Sequence, residues 1–93
     1  MKYEIILTSA FKKELKNLKK RNKKLEKLTK VIDMLANDIE LDPKYKDHAL
    51  VNSSNFYNCR ECHIEPDWLL VYKKNKIDLI LILIETGSHS DLF

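Results

Sequence analysis

The spacing of the apolar residues changes near Pro43, and this change limits the fold more than any other feature. From Phe11 to Ile39 they recur at steps of three, four and seven (Phe11, Leu15, Leu18, Leu25, Leu28, Ile32, Leu35, Ile39), with lysines on the opposite side. That is helical periodicity. After it come three runs of strand character, at residues 56–64, 68–73 and 77–84. Another β-type run, residues 3–7, precedes the helical part, and Thr8 and Ser9 then offer hydroxyls to cap a helix N-terminus. Asp42-Pro43 closes the helical part, because proline disfavours helix in the residue before it.

Residues 19–24 contain no apolar side chain, which reads as a turn between two antiparallel helices. The competing reading is one continuous helix, since positions 11, 18, 25, 32 and 39 keep a seven-residue repeat. Residues 44–55 are polar and irregular, with a loop tip at 53–55. Glu65-Pro66-Asp67 places proline at a favoured turn position, and Lys74-Asn75 reads as the next hairpin tip. Residues 77–84 are apolar on both faces, as a covered central strand requires. Thr86-Gly87-Ser88 breaks that strand and residues 89–93 form a short tail. The order β-α-α-β-β-β predicts an α+β fold, one domain over residues 1–93. It is a small, largely antiparallel sheet with an N-terminal helical hairpin on one face.

Gly87 is the one glycine among 93 residues, which excludes Gly-rich phosphate loops and dinucleotide fingerprints. No apolar run approaches the roughly 18–20 residues of a membrane span. The N-terminal stretch is too short and too charged for a signal peptide, so a cytoplasmic protein with reduced Cys59 and Cys62 is expected. The net charge is +3, but residues 11–30 hold ten basic and two acidic side chains, +8 against −5 for the rest. Such a segment is a solvated helix face, or it meets a polyanion or an acidic partner.

Cys59-Arg60-Glu61-Cys62-His63 fits the C-x-x-C-H haem-attachment spacing. On a strand, residues three apart point to opposite faces, which opposes haem attachment, a disulfide and a shared zinc site. Two packing cysteines without a cofactor or metal are expected. The three histidines, His48, His63 and His89, all lie in the second half. In an antiparallel meander His63, Asp67 and His89 converge on one edge of the sheet, a set competent for general acid–base chemistry. RNA cleavage needs little more: a base for the 2′-OH, an acid for the leaving 5′-oxygen, and a cation for the phosphorane. Trp68 and Phe93 are candidates to stack on bases, and Lys44, Lys46 and Arg60 to contact phosphates. For Trp68, core packing is the alternative, because it opens an alternating strand with Leu70 and Tyr72.

Three segments resemble the YafQ branch of the RelE/ParE toxin superfamily, bacterial toxin–antitoxin ribonucleases. They are Tyr45-Lys46-Asp47-His48-Ala49-Leu50, the stretch from Arg60 through His63-Ile64-Glu65-Pro66-Asp67-Trp68 to Tyr72, and Thr86-Gly87-Ser88-His89-Ser90-Asp91-Leu92-Phe93. The resemblance covers the whole chain. It implies a RelE-like fold, a metal-independent toxin that cuts messenger RNA on the ribosome, and an antitoxin partner that joins the free monomer in a hetero-oligomer. Carried over by position, His48, His63, Asp67 and His89 match the family's catalytic residues, and Phe93 its terminal aromatic. The +8 segment is then a candidate contact for ribosomal RNA or for an acidic antitoxin segment.

Two departures remove positive charge. Glu85 stands where the family usually carries an arginine, and residues 51–56 lack the family's usual glycine–aromatic–lysine stretch. A glutamate at 85 repels phosphate. Arg60 or Lys46 is the candidate replacement cation, although strand parity sets Arg60 on the face opposite His63 unless the strand bulges. The lost charge keeps two alternatives open: a ParE-like toxin that binds DNA gyrase without cleaving RNA, and a weakened homologue that still binds antitoxin.

Overall fold

A computed structural model of the chain describes residues 2–51 and 56–93. Thr8 starts the helical part with one hydroxyl used twice. It accepts from Phe11 N–H (3.0 Å), capping α1 (Ser9–Lys20), and donates to the Ile84 carbonyl (2.6 Å). A cap of this kind stabilises by about 1 kcal/mol. At the other end Lys23 N–H donates to Leu18 O and Asn22 N–H to Lys19 O, both at 3.1 Å, with Asn22 at φ 56°. α2 (Leu25–Ala36) ends the same way: Ile39 N–H donates to Met34 O at 2.8 Å, with Asp38 at φ 59°. These are Schellman closures, with Asn22 and Asp38 in the left-handed position that glycine usually takes. The reversal at Asn22 rules out the continuous helix.

Five strands form one sheet in the order β1-β5-β4-β3-β2: β1 (Glu4–Leu7), β2 (His48–Ala49), β3 (Arg60–Glu65), β4 (Trp68–Asn75) and β5 (Ile80–Gly87). β1 runs parallel to β5 and the other pairs are antiparallel. The helices cover one face. Phe11, Leu18, Leu28, Val31 and Leu35 pack there with Cys62, Leu70, Tyr72, Leu81 and Leu83. Burying each large aliphatic or aromatic side chain contributes about 1.5–3 kcal/mol. The other face carries a smaller cluster of Phe56, Cys59 and Val71, with Leu50, Ile84 and Leu92 against it. Cys59 and Cys62 therefore point to opposite faces, and burial pushes the Cys62 thiol up to about 12 and raises that of Cys59. Among the described residues no helix is long and apolar enough to cross a membrane.

Five local expectations need correction. The last strand, expected over 77–84 and broken at Thr86, is β5, which starts at Ile80 and keeps pairing with β4 through Thr86 and Gly87. The segment expected to be irregular holds a 3-10 turn, Pro43–Tyr45, and the two-residue strand β2. β3 begins at Arg60 rather than at residue 56, because Asn58 has φ 59°, which a strand excludes. The β4–β5 turn lies at residues 76–79, one step later than Lys74-Asn75 suggested. The Asn75 side chain accepts from Ile77 N–H (3.0 Å) and Asp78 N–H (2.9 Å), and Ile77 is 93% exposed. The tail is helical: α3 (His89–Leu92) follows Ser88. The loop tip at 53–55 and most of the 51–56 stretch lie outside the described residues.

Trp68 is 1% exposed. Its indole N–H donates to Thr86 Oγ1 (3.0 Å), and that hydroxyl donates onward to the Leu69 carbonyl (2.7 Å). Thr86→Val keeps the shape and removes the acceptor, leaving a buried N–H unpaired. A loss of about 1–3 kcal/mol is expected in a urea unfolding experiment; an unchanged midpoint would mean the indole finds another partner.

Candidate active site

The face opposite the helices gathers the chemistry-bearing residues. Alternation along β3 sends Cys62 and Ile64 into the core, and Glu61 and His63 to the other side. Register His48↔Glu61 sets His48 beside them. Asp47 fixes this arrangement from behind. It accepts from Tyr72 OH (2.6 Å) and Arg60 Nε (3.3 Å) on the helix side, while the next residue, His48, faces the other way.

A bulge between His63 and Glu65 and the Pro66 turn then present Asp67. One Asp67 oxygen accepts from His89 twice, from its backbone N–H (2.9 Å) and at its ring Nδ1 (2.7 Å). The backbone bond lowers the Asp67 carboxyl most, followed by the ring bond. α3 begins at His89 because Ser88 and Asp91 form a reciprocal capping box: Asp91 N–H donates to Ser88 Oγ (3.2 Å), and Ser88 N–H to Asp91 Oδ2 (3.0 Å). Gly87 admits this closure, since a Cβ there would lie 3.0 Å from Asp91 Oδ2 and 3.1 Å from Asp91 Cβ.

The rings form a row, with His48–His63 centroids 6.4 Å apart and His63–His89 centroids 5.7 Å apart. Each Nδ1 meets an acceptor-only group: the Lys46 carbonyl for His48 (2.7 Å), the Pro66 carbonyl for His63 (3.3 Å) and the Asp67 carboxylate for His89. Each Nδ1 must therefore carry a proton, which leaves all three Nε2 atoms for exchange with a substrate.

Glu61, 5% exposed, was missed by the sequence reading. Its Oε1 lies 3.7 Å from His48 Nε2 and 3.6 Å from His63 Nε2, within ion-pair range but beyond a hydrogen bond. The i, i+2 spacing of Glu61 and His63 on a strand was the signal that would have found it. Register continues the row through Val71 to Glu85, so Glu85 is on this same face, and burial raises its carboxyl. Phe93 is 61% exposed and stands edge-on to Phe56, centroids 5.5 Å apart.

Two of the expected RNA contacts are not on this face. Trp68 is sealed in the helix-side core, which removes its ring from stacking. Arg60 pairs with Tyr72 in register and with Asp47 by charge, on the helix side, so the β3 bulge comes too late to turn it toward His63. Lys44 and Lys46 line one cavity together with His63. Among the described residues, no group of three or more His, Cys, Asp or Glu side chains is arranged to hold a metal ion.

A family model described as "Bacterial toxin of type II toxin-antitoxin system, YafQ" matches residues 3–93. The mRNA interferase toxin YafQ of Escherichia coli (strain B / BL21-DE3) is 38% identical over 91 residues, 97% of this chain and 95% of that protein. A metal-bound toxin from Helicobacter pylori superposes with a TM-score of 0.89 at 44% identity, covering 98% of this chain and 99% of that one. In the E. coli DinJ-YafQ complex the matching chain gives 0.87 at 38% identity, with 98% of each chain covered.

The end of β5 is also held from the helix side, where Thr86 N–H donates to Glu14 Oε1 (3.0 Å). Burial, with smaller contributions from Glu85 and Asp91, pushes the Glu14 carboxyl from 4.5 up to about 7. The folded state therefore binds the extra proton. The contribution of Glu14 to stability is fully present below pH 4.5 and is lost as pH rises to about 7. Glu14→Gln keeps an acceptor for Thr86 without the charge. Thermal melts should show the variant above wild type at pH 8 and level with it at pH 4.5; equal melting temperatures at pH 8 would contradict the assignment.

Proposed function

The chain belongs to the YafQ family of bacterial toxins of type II toxin–antitoxin systems, and we propose that it is a one-domain, cytoplasmic endoribonuclease that cuts messenger RNA on the ribosome. The observation that carries this reading is the row of three imidazoles, each with its Nδ1 engaged by an acceptor and its Nε2 outside any hydrogen bond among the described residues. The base and the acid of a 2′-OH attack both come from that row: one Nε2 takes the ribose proton and another protonates the departing 5′-oxygen. Ionised Asp67 holds His89 by two bonds, orienting the ring and steadying its imidazolium form. Glu61, between His48 and His63, positions both rings and attracts whichever becomes charged. Phe93 supplies the stacking platform. None of these steps needs a metal ion.

The antitoxin is the second partner. The DinJ-YafQ complex is the precedent among the relatives, and an antitoxin is proposed here to neutralise this chain in the same kind of hetero-oligomer. The lysine-rich surface of α1 and the following turn suits an acidic antitoxin segment or ribosomal RNA.

His89→Ala should lower ribosome-dependent message cleavage about 100-fold or more, the scale of a lost acid–base group; primer extension on a reporter message reads it. Gyrase inhibition by wild type with intact message would overturn the nuclease reading. Glu85→Arg puts a cation on the catalytic face in place of a carboxylate and should raise the cleavage rate about tenfold. An unchanged or lower rate would show that β5 charge does not limit this protein.

A further inference from the structure

Between α2, the Pro43–Tyr45 turn and the end of β3 lies a cavity of about 450 Å³ whose wall includes His63. Its size falls within the roughly 300–1,000 Å³ of small-ligand sites. Lys30 enters from α2, Lys44 and Lys46 from the turn, and Tyr45, Ile64 and Pro66 supply an apolar part. One carboxylate lines it, Glu65, already engaged by Lys27 (2.7 Å) and Lys23 (3.6 Å), and the hydrogen bond from Lys27 lowers its carboxyl. Among the described residues Lys30, Lys44 and Lys46 make no ion pair. Three uncompensated ammonium groups over an apolar part select an anion that also has a less polar portion.

We propose that this cavity is a backbone subsite for the strand being cut. It holds the phosphate of the nucleotide next to the scissile linkage, with Lys30 and Lys44 on its oxygens and Tyr45 beside its sugar or base. The assignment rests on the ribonuclease reading of the histidine row. His63 belongs to both the row and the cavity, so a strand lying in the cavity lies next to a residue of the histidine row. That juxtaposition favours substrate over ribosomal RNA, which the lysine face of α1 can meet without touching a histidine. It also locates charge that β5 lacks: with Glu85 on the catalytic face and Arg60 turned away, the positive end of the site lies on the α2 side of His63.

The test uses a fluorescent, fully 2′-O-methylated oligoribonucleotide, which binds but cannot be cut, read by anisotropy across a salt series. For the Lys30→Gln/Lys44→Gln double variant, Kd should rise about tenfold at low salt, and the slope of log affinity against log salt should shrink by about 0.7, one single-strand phosphate contact. Lys76→Gln, in the exposed 76–79 turn, should match wild type, and a melting curve for each variant confirms folding. A double variant that binds the oligonucleotide as wild type does would overturn the subsite. So would one that keeps the oligonucleotide but no longer co-sediments with ribosomes, because the lysines then serve ribosomal RNA. If wild type binds through these lysines yet cuts no message, the nuclease reading fails, and the cavity is an RNA-backbone site with no scissile linkage beside it.

Discussion

A buried indole N–H must find an acceptor, and much of this architecture follows from where Trp68 finds one. Its partner, Thr86, is on the neighbouring strand and is itself tied to the Leu69 carbonyl and to Glu14 on α1. An unpaired N–H in that position would cost about 1–3 kcal/mol, so the start of β4 and the end of β5 are held together in one alignment. Asp67 precedes the first and His89 follows the second. The carboxylate–imidazole contact on the open face is thus positioned by a hydroxyl–indole contact on the covered one.

The same division of faces governs the other histidines. Asp47 stands just before β2 and is tied to the helix side by Tyr72 and Arg60, while the register of His48 with Glu61 sets His48 on the other face. Glu61 and His63 alternate with Cys62 and Ile64 in the same way. The two long helices, α1 and α2, cover only one side of the sheet. Polar groups can then stand on the other side at close quarters without entering the main core.

Much of this was readable in the sequence because it depends on period and on strong local signals. The helical stripe, the polar turn before Leu25, the Pro66 turn and the grouping of His63, Asp67 and His89 all follow from spacing. What escaped depends on contacts between distant residues. A strand as short as β2 has no period of its own; pairing with Glu61 and Arg60 creates it. The role of Glu61 needs the His48 register, and the burial of Trp68 needs Thr86, 18 residues away. The YafQ relationship was visible from three segments and is supported over residues 3–93, whereas no residue pattern announces that Lys30 on α2 meets Lys44 and Lys46 across a cavity.

The two apolar clusters differ greatly in size, and they report different things. The larger one, with Trp68 inside it, carries the cooperative stability of the domain. The smaller one, Phe56, Cys59 and Val71 with Leu92 against it, steadies the four-residue α3 and the aromatic end of the chain. Small clusters open locally at free energies below that of global unfolding. Tryptophan fluorescence therefore follows the scaffold and is blind to fraying of the segment that carries His89 and Phe93. A sample can melt as a fully native protein while part of its population has lost the contact of His89 with Asp67 and of Phe93 with Phe56.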